Sequence, residues 1–568
     1  MKLRMWLYDI AREQCPTPAY MRHLCKLSLD SGYNALGLYL EHRFAYPSVP
    51  WVAGLGALTP ELVKSLQKEF KELQIVPFIN LLGHFEGFLY SSGGEQFACE
   101  RFAGMSGDPI NPKFVSLCES IVDDAVSIFD SELIHIGGDE TAQLGRGASR
   151  AFVEAQEGDG KAALYARHFA PLAQRVVDLG RTPGVWGDMY FEHPSALESM
   201  PKETVIFDWQ YFKSPEYTSE LFREKGFRTV FCPAVHTYNA AWCHLPQTER
   251  NVTEHAEAAE RLGVEGVCVT TWELGLMGNY NTILPVIEGC GAILSCAQPE
   301  VGRGFPIESG TRDEDIAMYR EDVAGFGQLS GSSWKQGQLL KSYLKHSETQ
   351  EEWARLMGVE LQECGLSSMF RGTNELEEKL KLLAADPFLN GDWFAFGGIR
   401  SGIKCRLLLY SNPFLLWLRD RESLLGPGGE KAWEIAERAT AFALDSDQRG
   451  VSQFVKKSIE FVRQVDKSAS AYAERKPGEA MNHLAPCRQI FEDLEKIAVA
   501  TSINSCGSLA DIHRCQKARR YVEEVIIRIK QYGGGSLGYL PSFETLIHPK
   551  FVPHDQANWW LINKWANE

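Results

Sequence analysis

The chain has 568 residues, of which 44% are hydrophobic, 11% aromatic and 23% charged, and its net charge is −16. That length exceeds what one hydrophobic core serves, so two or more domains are expected, and the acidic balance argues against a general nucleic-acid binder, which would carry a basic face. No apolar run reaches bilayer-spanning length, and the opening Met1-Lys2-Leu3-Arg4-Met5-Trp6 enters a strand pattern with no secretory h-region or cleavage site, so a cytoplasmic protein with no membrane partner is expected.

From residue 3 to about 295, short apolar runs alternate with amphipathic stretches. Strands are predicted at 3–8, 34–40, 75–81, 132–137, 183–187, 204–209, 228–233 and 265–271, with helical patterns at 19–31, 60–73, 113–129, 161–179 and 251–262. Most of these strands are apolar throughout, which suits parallel strands covered on both faces. Eight strand-then-helix units predict an α/β fold, a (β/α)8 TIM barrel over residues 1–300. A doubly wound open sheet is the alternative that periodicity leaves open. Segment 300–316 is rich in glycine and charge and reads as a junction. Beyond it, 317–568 reads as a mostly α-helical C-terminal domain, with helices at 351–362, 400–423, 430–444, 452–474 and 510–531, the last halted by Gly533-Gly534-Gly535. Trp559, Trp560 and Trp565 near the end read as core or subunit contact rather than a sugar platform.

The 14 cysteines include no CxxC pair, which fits reduced, buried thiols better than a disulfide framework. Asn251-Val252-Thr253 matches a glycosylation sequon and is read as a chance match.

The stretch Ile134-His135-Ile136-Gly137-Gly138-Asp139-Glu140 carries the chemistry. Neighbouring side chains of a regular strand point to opposite faces, so adjacent acids could not serve one substrate from mid-strand. Gly137 and Gly138 let the backbone leave that geometry just where the acids arrive. Taken alone, an Asp-Glu pair after glycines is more often a turn with solvated acids. The other predicted strand ends decide otherwise, because catalytic residues of a (β/α)8 barrel sit where strands end. Asp9 and Arg12 follow the first strand, Glu41 and His42 the second, and Asn80, Gly83 and His84 the third. Trp186 and Asp188 follow the fifth, Asp208 and Trp209 the sixth, His236 and Tyr238 the seventh, and Trp272 and Glu273 the eighth. Tryptophan at three of these ends offers the aromatic walls that sugars use, and an arginine-carboxylate set can fix hydroxyls.

The run His135-Ile136-Gly137-Gly138-Asp139-Glu140 resembles the signature of glycoside hydrolase family 20, the β-N-acetylhexosaminidases. Asp9-Ile10-Ala11-Arg12 resembles the family's first-strand Asp-x-x-Arg. Asn34 through Glu41 resembles its second strand, where an acid closes the run. Asn80-Leu81-Leu82-Gly83-His84 resembles the third-strand motif, with asparagine in the usual aspartate position, and Ile110-Asn111-Pro112 the segment before the fourth-strand helix. Cys232-Pro233-Ala234 with Tyr238 is similar to the seventh-strand run, and Trp186, Trp209 and Trp272 fall where the family places its acetamido-pocket tryptophans. The resemblance covers about residues 1–290. Two departures are expected from the resemblance: a barrel without the small α/β domain that usually precedes it, and an eighth strand that reads Trp272-Glu273-Leu274 where many members have Trp-x-Glu. This looks like a divergent intracellular branch.

The resemblance implies an exo-acting, retaining enzyme that releases terminal β-linked N-acetylglucosamine or N-acetylgalactosamine from an amino-sugar glycoside or oligosaccharide. Its chemistry would be substrate-assisted, an exception to the two-carboxylate scheme. Glu140 would be the acid and base, Asp139 would hold the acetamido N–H, and Tyr238 the acetamido oxygen. Arg12, Glu41, His84, Trp186, Asp188, Trp209, Trp272 and Glu273 would bind the sugar; no metal or other cofactor is implied. His135, mid-strand, reads as a core histidine, and Asp188 and Asp208 read as helix caps as readily as sugar ligands. Two rivals stay open: a metal-dependent (β/α)8 hydrolase using His84, His135, His236, Asp139 and Asp188, for which no tight His-x-His spacing speaks, and a carbohydrate-binding barrel without turnover. The helical domain is left as a shield over the site or a homodimer interface.

Overall fold

A computed structural model describes residues 1–11, 14–54, 56–100, 105–211, 214–237, 241–272, 276–277, 279–296, 337–364, 405, 407–410, 412–501 and 508–532. Eight parallel strands, β1 (Leu3–Asp9), β2 (Ala35–Tyr39), β3 (Gln74–Phe78), β4 (Leu133–His135), β5 (Thr182–Trp186), β6 (Val205–Trp209), β7 (Arg228–Cys232) and β8 (Gly266–Thr271), pair in chain order. β1 pairs with β8 from Leu3↔Gly266 to Tyr8↔Thr271, which closes the barrel and excludes the open sheet. A two-residue strand, Ala234–Val235, continues β7 along β8.

Each strand leads into a helix: α1 (Pro18–Asp30), α2 (Pro60–Glu69), α3 (Pro112–Ile128), α4 (Gly160–Asp178), α5 (Met189–Glu192), α6 (Glu216–Glu224), α7 (Leu245–Leu262) and α8 (Asn279–Cys296). The first three start alike. Thr17, Thr59 and Asn111 accept the backbone N–H of Tyr20, Leu62 and Lys113, and a proline follows each cap. Such a cap stabilises its helix by roughly 1 kcal/mol, and proline costs nothing at a position whose N–H has no helical partner.

The barrel interior is crowded by aromatics from β2, β3, β5 and β6: Tyr39, Phe78, Trp186 and Phe207. Room for them comes from strand glycines. A β-carbon on Gly37 would lie 2.7 Å from Leu7 Cδ1 and 2.8 Å from Phe78 Cε2, and one on Gly184 would lie 3.1 Å from Phe207 Cε2. Inward positions recur at every second residue, as the strand period requires.

The helical stretches named from periodicity do not include α6, α8 or a later helix, Pro477–Thr501. Pro285, Gly289 and Gly291 interrupt α8, and Pro486 interrupts the later helix. These residues lower intrinsic propensity, and tertiary packing overrides it. At Gly291 a β-carbon would come 2.3 Å from Ser31 O, so the glycine lets α8 lie against the end of α1.

The helical region is built from α9 (Phe414–Leu425), α10 (Pro427–Phe442), α11 (Ser446–Ala473), α12 (Pro477–Thr501) and α13 (Ser508–Tyr532), with shorter helices at Gln338–Leu344 and Glu348–Arg355. It shares one buried apolar cluster with the outside of the barrel. Trp353 meets Trp242 edge-on, ring centroids 4.7 Å apart, and its Nε1 donates to Ser452 Oγ on α11. Burying each such ring contributes roughly 1.5–3 kcal/mol. The expected junction at 300–316, the Gly533-Gly534-Gly535 stop and Trp559, Trp560 and Trp565 lie outside the described residues.

Among the described residues no helix is long and apolar enough to cross a membrane. The described cysteines are all free. Asn251 is buried, with its Oδ1 accepting from Ala234 N–H and its Nδ2 donating to Gln210 O, so its amide is committed inside the fold.

Candidate active site

The fourth strand ends as its two glycines direct. Strand assignment stops at His135, but Ile136 N–H still bonds Gly184 O and Gly137 O still accepts Trp186 N–H. Gly137 and Gly138 then take φ of +81° and +107°, and the chain turns. A β-carbon on Gly137 would lie 2.9 Å from Asn80 Cα and 3.0 Å from Ile79 O, and one on Gly138 would lie 2.5 Å from the Tyr165 hydroxyl. Gly83 completes the approach from the third loop, where a β-carbon would sit 2.6 Å from Asp139 O. Bare backbone on both sides presses the ends of β3 and β4 together. Gly137→Ala therefore combines a disfavoured φ with contact against backbone, and should destabilise the fold by about 2–4 kcal/mol in denaturant titration.

That close approach sets His84 across the acid pair. His84 Nε2 lies 3.0 Å from Glu140 Oε2 and 3.4 Å from Asp139 Oδ2. Burial by itself would strip the imidazole of its proton, but the Asp139 charge and the bonds to both carboxylates reverse this and hold its pKa well above the ordinary value. The imidazolium N–H is thus shared between the two acids. Asp139 is buried, and its Oδ1 has no hydrogen-bond partner among the described residues. An orphaned carboxylate oxygen away from water is costly unless a ligand group meets it.

Glu41, His84 and Glu140 share a further property. All three adopt left-handed backbone, φ +40°, +47° and +45°. For a residue with a β-carbon this costs roughly 1–3 kcal/mol and persists only where the surroundings enforce it, which marks the ends of β2, β3 and β4 as a constrained site. Behind the pair, Asp188 Oδ2 accepts Glu140 N–H at 2.9 Å and its Oδ1 accepts Trp209 Nε1–H at 3.2 Å. Burial, and then the Asp139 charge, push the Asp188 carboxyl well above its usual range, against the two donors that favour its charged form.

Aromatic residues line the ends of the second, fifth, sixth and eighth strands. Trp186 and Trp272 have centroids 6.0 Å apart, Tyr39 meets Trp272 edge-on at 5.0 Å, and Trp209 stacks on Tyr211 at 5.1 Å. Trp272 Nε1 donates to the Tyr211 hydroxyl at 2.6 Å, which ties the sixth and eighth strand ends together. Trp186 Nε1 is buried with no partner among the described residues.

The described candidates Glu41, His84, Asp139, Glu140, Trp186, Asp188, Trp209 and Trp272 all lie at the ends of the barrel strands that precede the helices. Arg12, Tyr238 and Glu273 lie outside the described residues. His135 is wholly buried, stacked on Phe78 with centroids 4.3 Å apart, and burial drives its pKa well below the ordinary value. Asp208 bonds Gln210 and Thr218, and His236 Nε2 meets Tyr211 O at 2.7 Å. Sequence reading passed over Tyr39, Tyr211 and Glu86. Tyr211 stands two residues after Trp209, the alternation that returns a side chain to the same face, and Tyr39 shares inward parity with Ala35 and Gly37. Glu86 stands two residues past His84 and adds to the charge that keeps it protonated. Donor atoms of Glu41, His84 and Glu86, and of His84, Asp139 and Glu140, converge within 4.8 Å and are spaced to hold a cation. In both sets His84 would have to give up the proton that the neighbouring carboxylates favour before it could ligate.

Residues 91–270 match the family model described as glycosyl hydrolase family 20, catalytic domain. Hexosaminidase D of Bos taurus is 25% identical over 348 residues, covering 56% of this chain and 96% of that protein. An exo β-N-acetylglucosaminidase structure from Vibrio harveyi is 16% identical with a TM-score of 0.44, and covers 52% of this chain and 54% of its own. A β-N-acetylhexosaminidase structure from Bacteroides fragilis is 15% identical with a TM-score of 0.43, over 58% of this chain and 72% of its own. The chain thus spans about half the length of the Vibrio protein.

Proposed function

We propose that the chain, which is similar to glycosyl hydrolase family 20 over its barrel, is an exo-acting, retaining β-N-acetylhexosaminidase that works by substrate assistance. One observation carries the reading: Asp139 is buried beside Glu140, and its Oδ1 has no partner among the described residues. That oxygen is where an acetamido N–H would bind. The two acids are adjacent because neither has to reach beneath the ring as nucleophile.

In the first step the substrate's acetamido oxygen forms a bond to C1 as the bond from C1 to the glycosidic oxygen breaks. The leaving oxygen takes the proton of Glu140, and an oxazolinium ion remains. In the second step water attacks C1, the acetamido oxygen leaves it, and the water's proton returns Glu140 to its starting state. Two inversions at C1 retain the β configuration. His84 Nε2 lies 3.0 Å from Glu140 Oε2 and would steady the carboxyl group through both steps. Asp139 stabilises the positive charge that develops on the acetamido group. Trp186, Trp209 and Trp272 wall the acetamido pocket. Tyr238 would hold the acetamido oxygen, and Arg12, Glu41 and Glu273 the ring hydroxyls.

Aryl β-N-acetylglucosaminide and β-N-acetylgalactosaminide, assayed side by side in the presence of a chelator, test the reading. Turnover of at least one is expected, and a thiazoline mimic of the oxazolinium ion should bind at least ~10²-fold more tightly than free sugar. Activity lost to the chelator would favour the metal-dependent hydrolase. Sugar binding without turnover would leave a binding barrel.

A further inference from the structure

Met277, six residues past the end of β8, is anchored to the helical region. Trp272 closes β8 against Tyr39 and Trp186. Five residues later Met277 is fully buried with φ +51°, a left-handed conformation that its surroundings must enforce. The enforcing group is on α13: Asp511 Oδ2 accepts Met277 N–H at 2.9 Å. Asp511 Oδ1 lies 3.2 Å from Arg514 Nη1, and the two side chains are only 3% and 7% exposed. A buried ion pair of this kind is weak evidence for stability, because desolvation offsets its attraction. What it does here is fix an acceptor at one backbone N–H. Gly450 of α11 passes the same point, where a β-carbon would lie 3.3 Å from Met277 O. Just beyond, Asn281 Nδ2 donates to Asp447 Oδ2 of α11 at 2.6 Å. Between these two ties, the Tyr280 hydroxyl accepts Asp9 N–H at 3.0 Å and lies 3.1 Å from Thr271 Oγ1. The first turn of α8 therefore joins the helical region to the ends of β1 and β8 together.

We infer that Asp511 is a positioning residue for the sugar site: through Met277 the helical region holds the exit of the eighth strand, and with it Trp272 and the adjoining end of β1. The inference rests on the sugar-site reading above and assigns the helical region a part in substrate binding. The chemistry at Glu140 would be untouched, so the effect falls on KM.

The test is made on the full chain with Asp511→Ala and with the double variant Asp511→Leu/Arg514→Met. The double variant removes both partners of the buried pair, a change often neutral for stability, so it keeps the test open if the single variant fails to fold. Amide exchange read by mass spectrometry should quicken at least about tenfold over 272–281 while peptides from β3 and β4 stay unchanged. KM for the aryl glycoside should rise roughly tenfold with kcat within about threefold, and Asp511→Asn, which keeps an acceptor, should recover most of it. Exchange over 272–281 equal to wild type overturns the anchor. Faster exchange with an unchanged KM overturns its role at the site. Exchange does not depend on the substrate, so an inactive wild type would sink the hexosaminidase reading and still leave the anchor to be judged by exchange alone.

Discussion

Glu140→Gln is expected to lower kcat on a natural glycoside by roughly 10²–10⁴-fold, the span that general acid–base catalysis contributes, with KM changed little. Glutamine keeps the size of the side chain and an oxygen for the His84 N–H that Glu140 Oε2 now meets at 3.0 Å, and its backbone N–H can still bond Asp188 Oδ2. What it cannot do is surrender a proton to the leaving oxygen. The defect should shrink as the leaving group improves, because a 2,4-dinitrophenolate departs without protonation. Steady-state rates over a series of aryl leaving groups read this directly. A slope against leaving-group pKa equal to that of wild type would remove Glu140 as the acid.

The same pair shows where sequence reading reached and where it stopped. The eight strands were legible because a parallel barrel strand is buried on both faces and writes itself as an unbroken apolar run. The turn at Gly137-Gly138 was legible because two glycines interrupt such a run just before two acids. The left-handed backbone at Glu41, His84 and Glu140 was not legible, since nothing in those residue types asks for it; it comes from tertiary enforcement. Tyr211 lay hidden for a different reason. Its role is to accept the Trp272 indole N–H from a strand end 61 positions away, and such a pairing exists only once the barrel has closed. Asp511 is the extreme case: a lone acid on a distant helix, it acquires meaning only from the backbone N–H of Met277.

Asp139→Asn should lower kcat by roughly 10²–10³-fold, the cost of removing one preorganised electrostatic contact to developing charge. Its dependence on the leaving group separates it from Glu140→Gln. The positive charge on the acetamido group forms whichever leaving group departs, so the Asp139→Asn defect should persist with 2,4-dinitrophenyl substrates where the Glu140→Gln defect fades. A second signature follows from His84. Burial pushes the imidazole toward neutrality, and the Asp139 charge is the foremost influence opposing it. Without that charge the His84 pKa falls, the imidazolium loses its proton at lower pH, and the alkaline limb of kcat/KM should move toward acid. A pH-rate profile of the variant measures both at once. An alkaline limb left in place would mean that His84 does not carry the charge that the geometry gives it, and a rate within a few-fold of wild type would mean that Asp139 does not steady the oxazolinium. The neighbouring acids would then be two carboxylates sharing a histidine, with the buried Oδ1 of Asp139 unaccounted for.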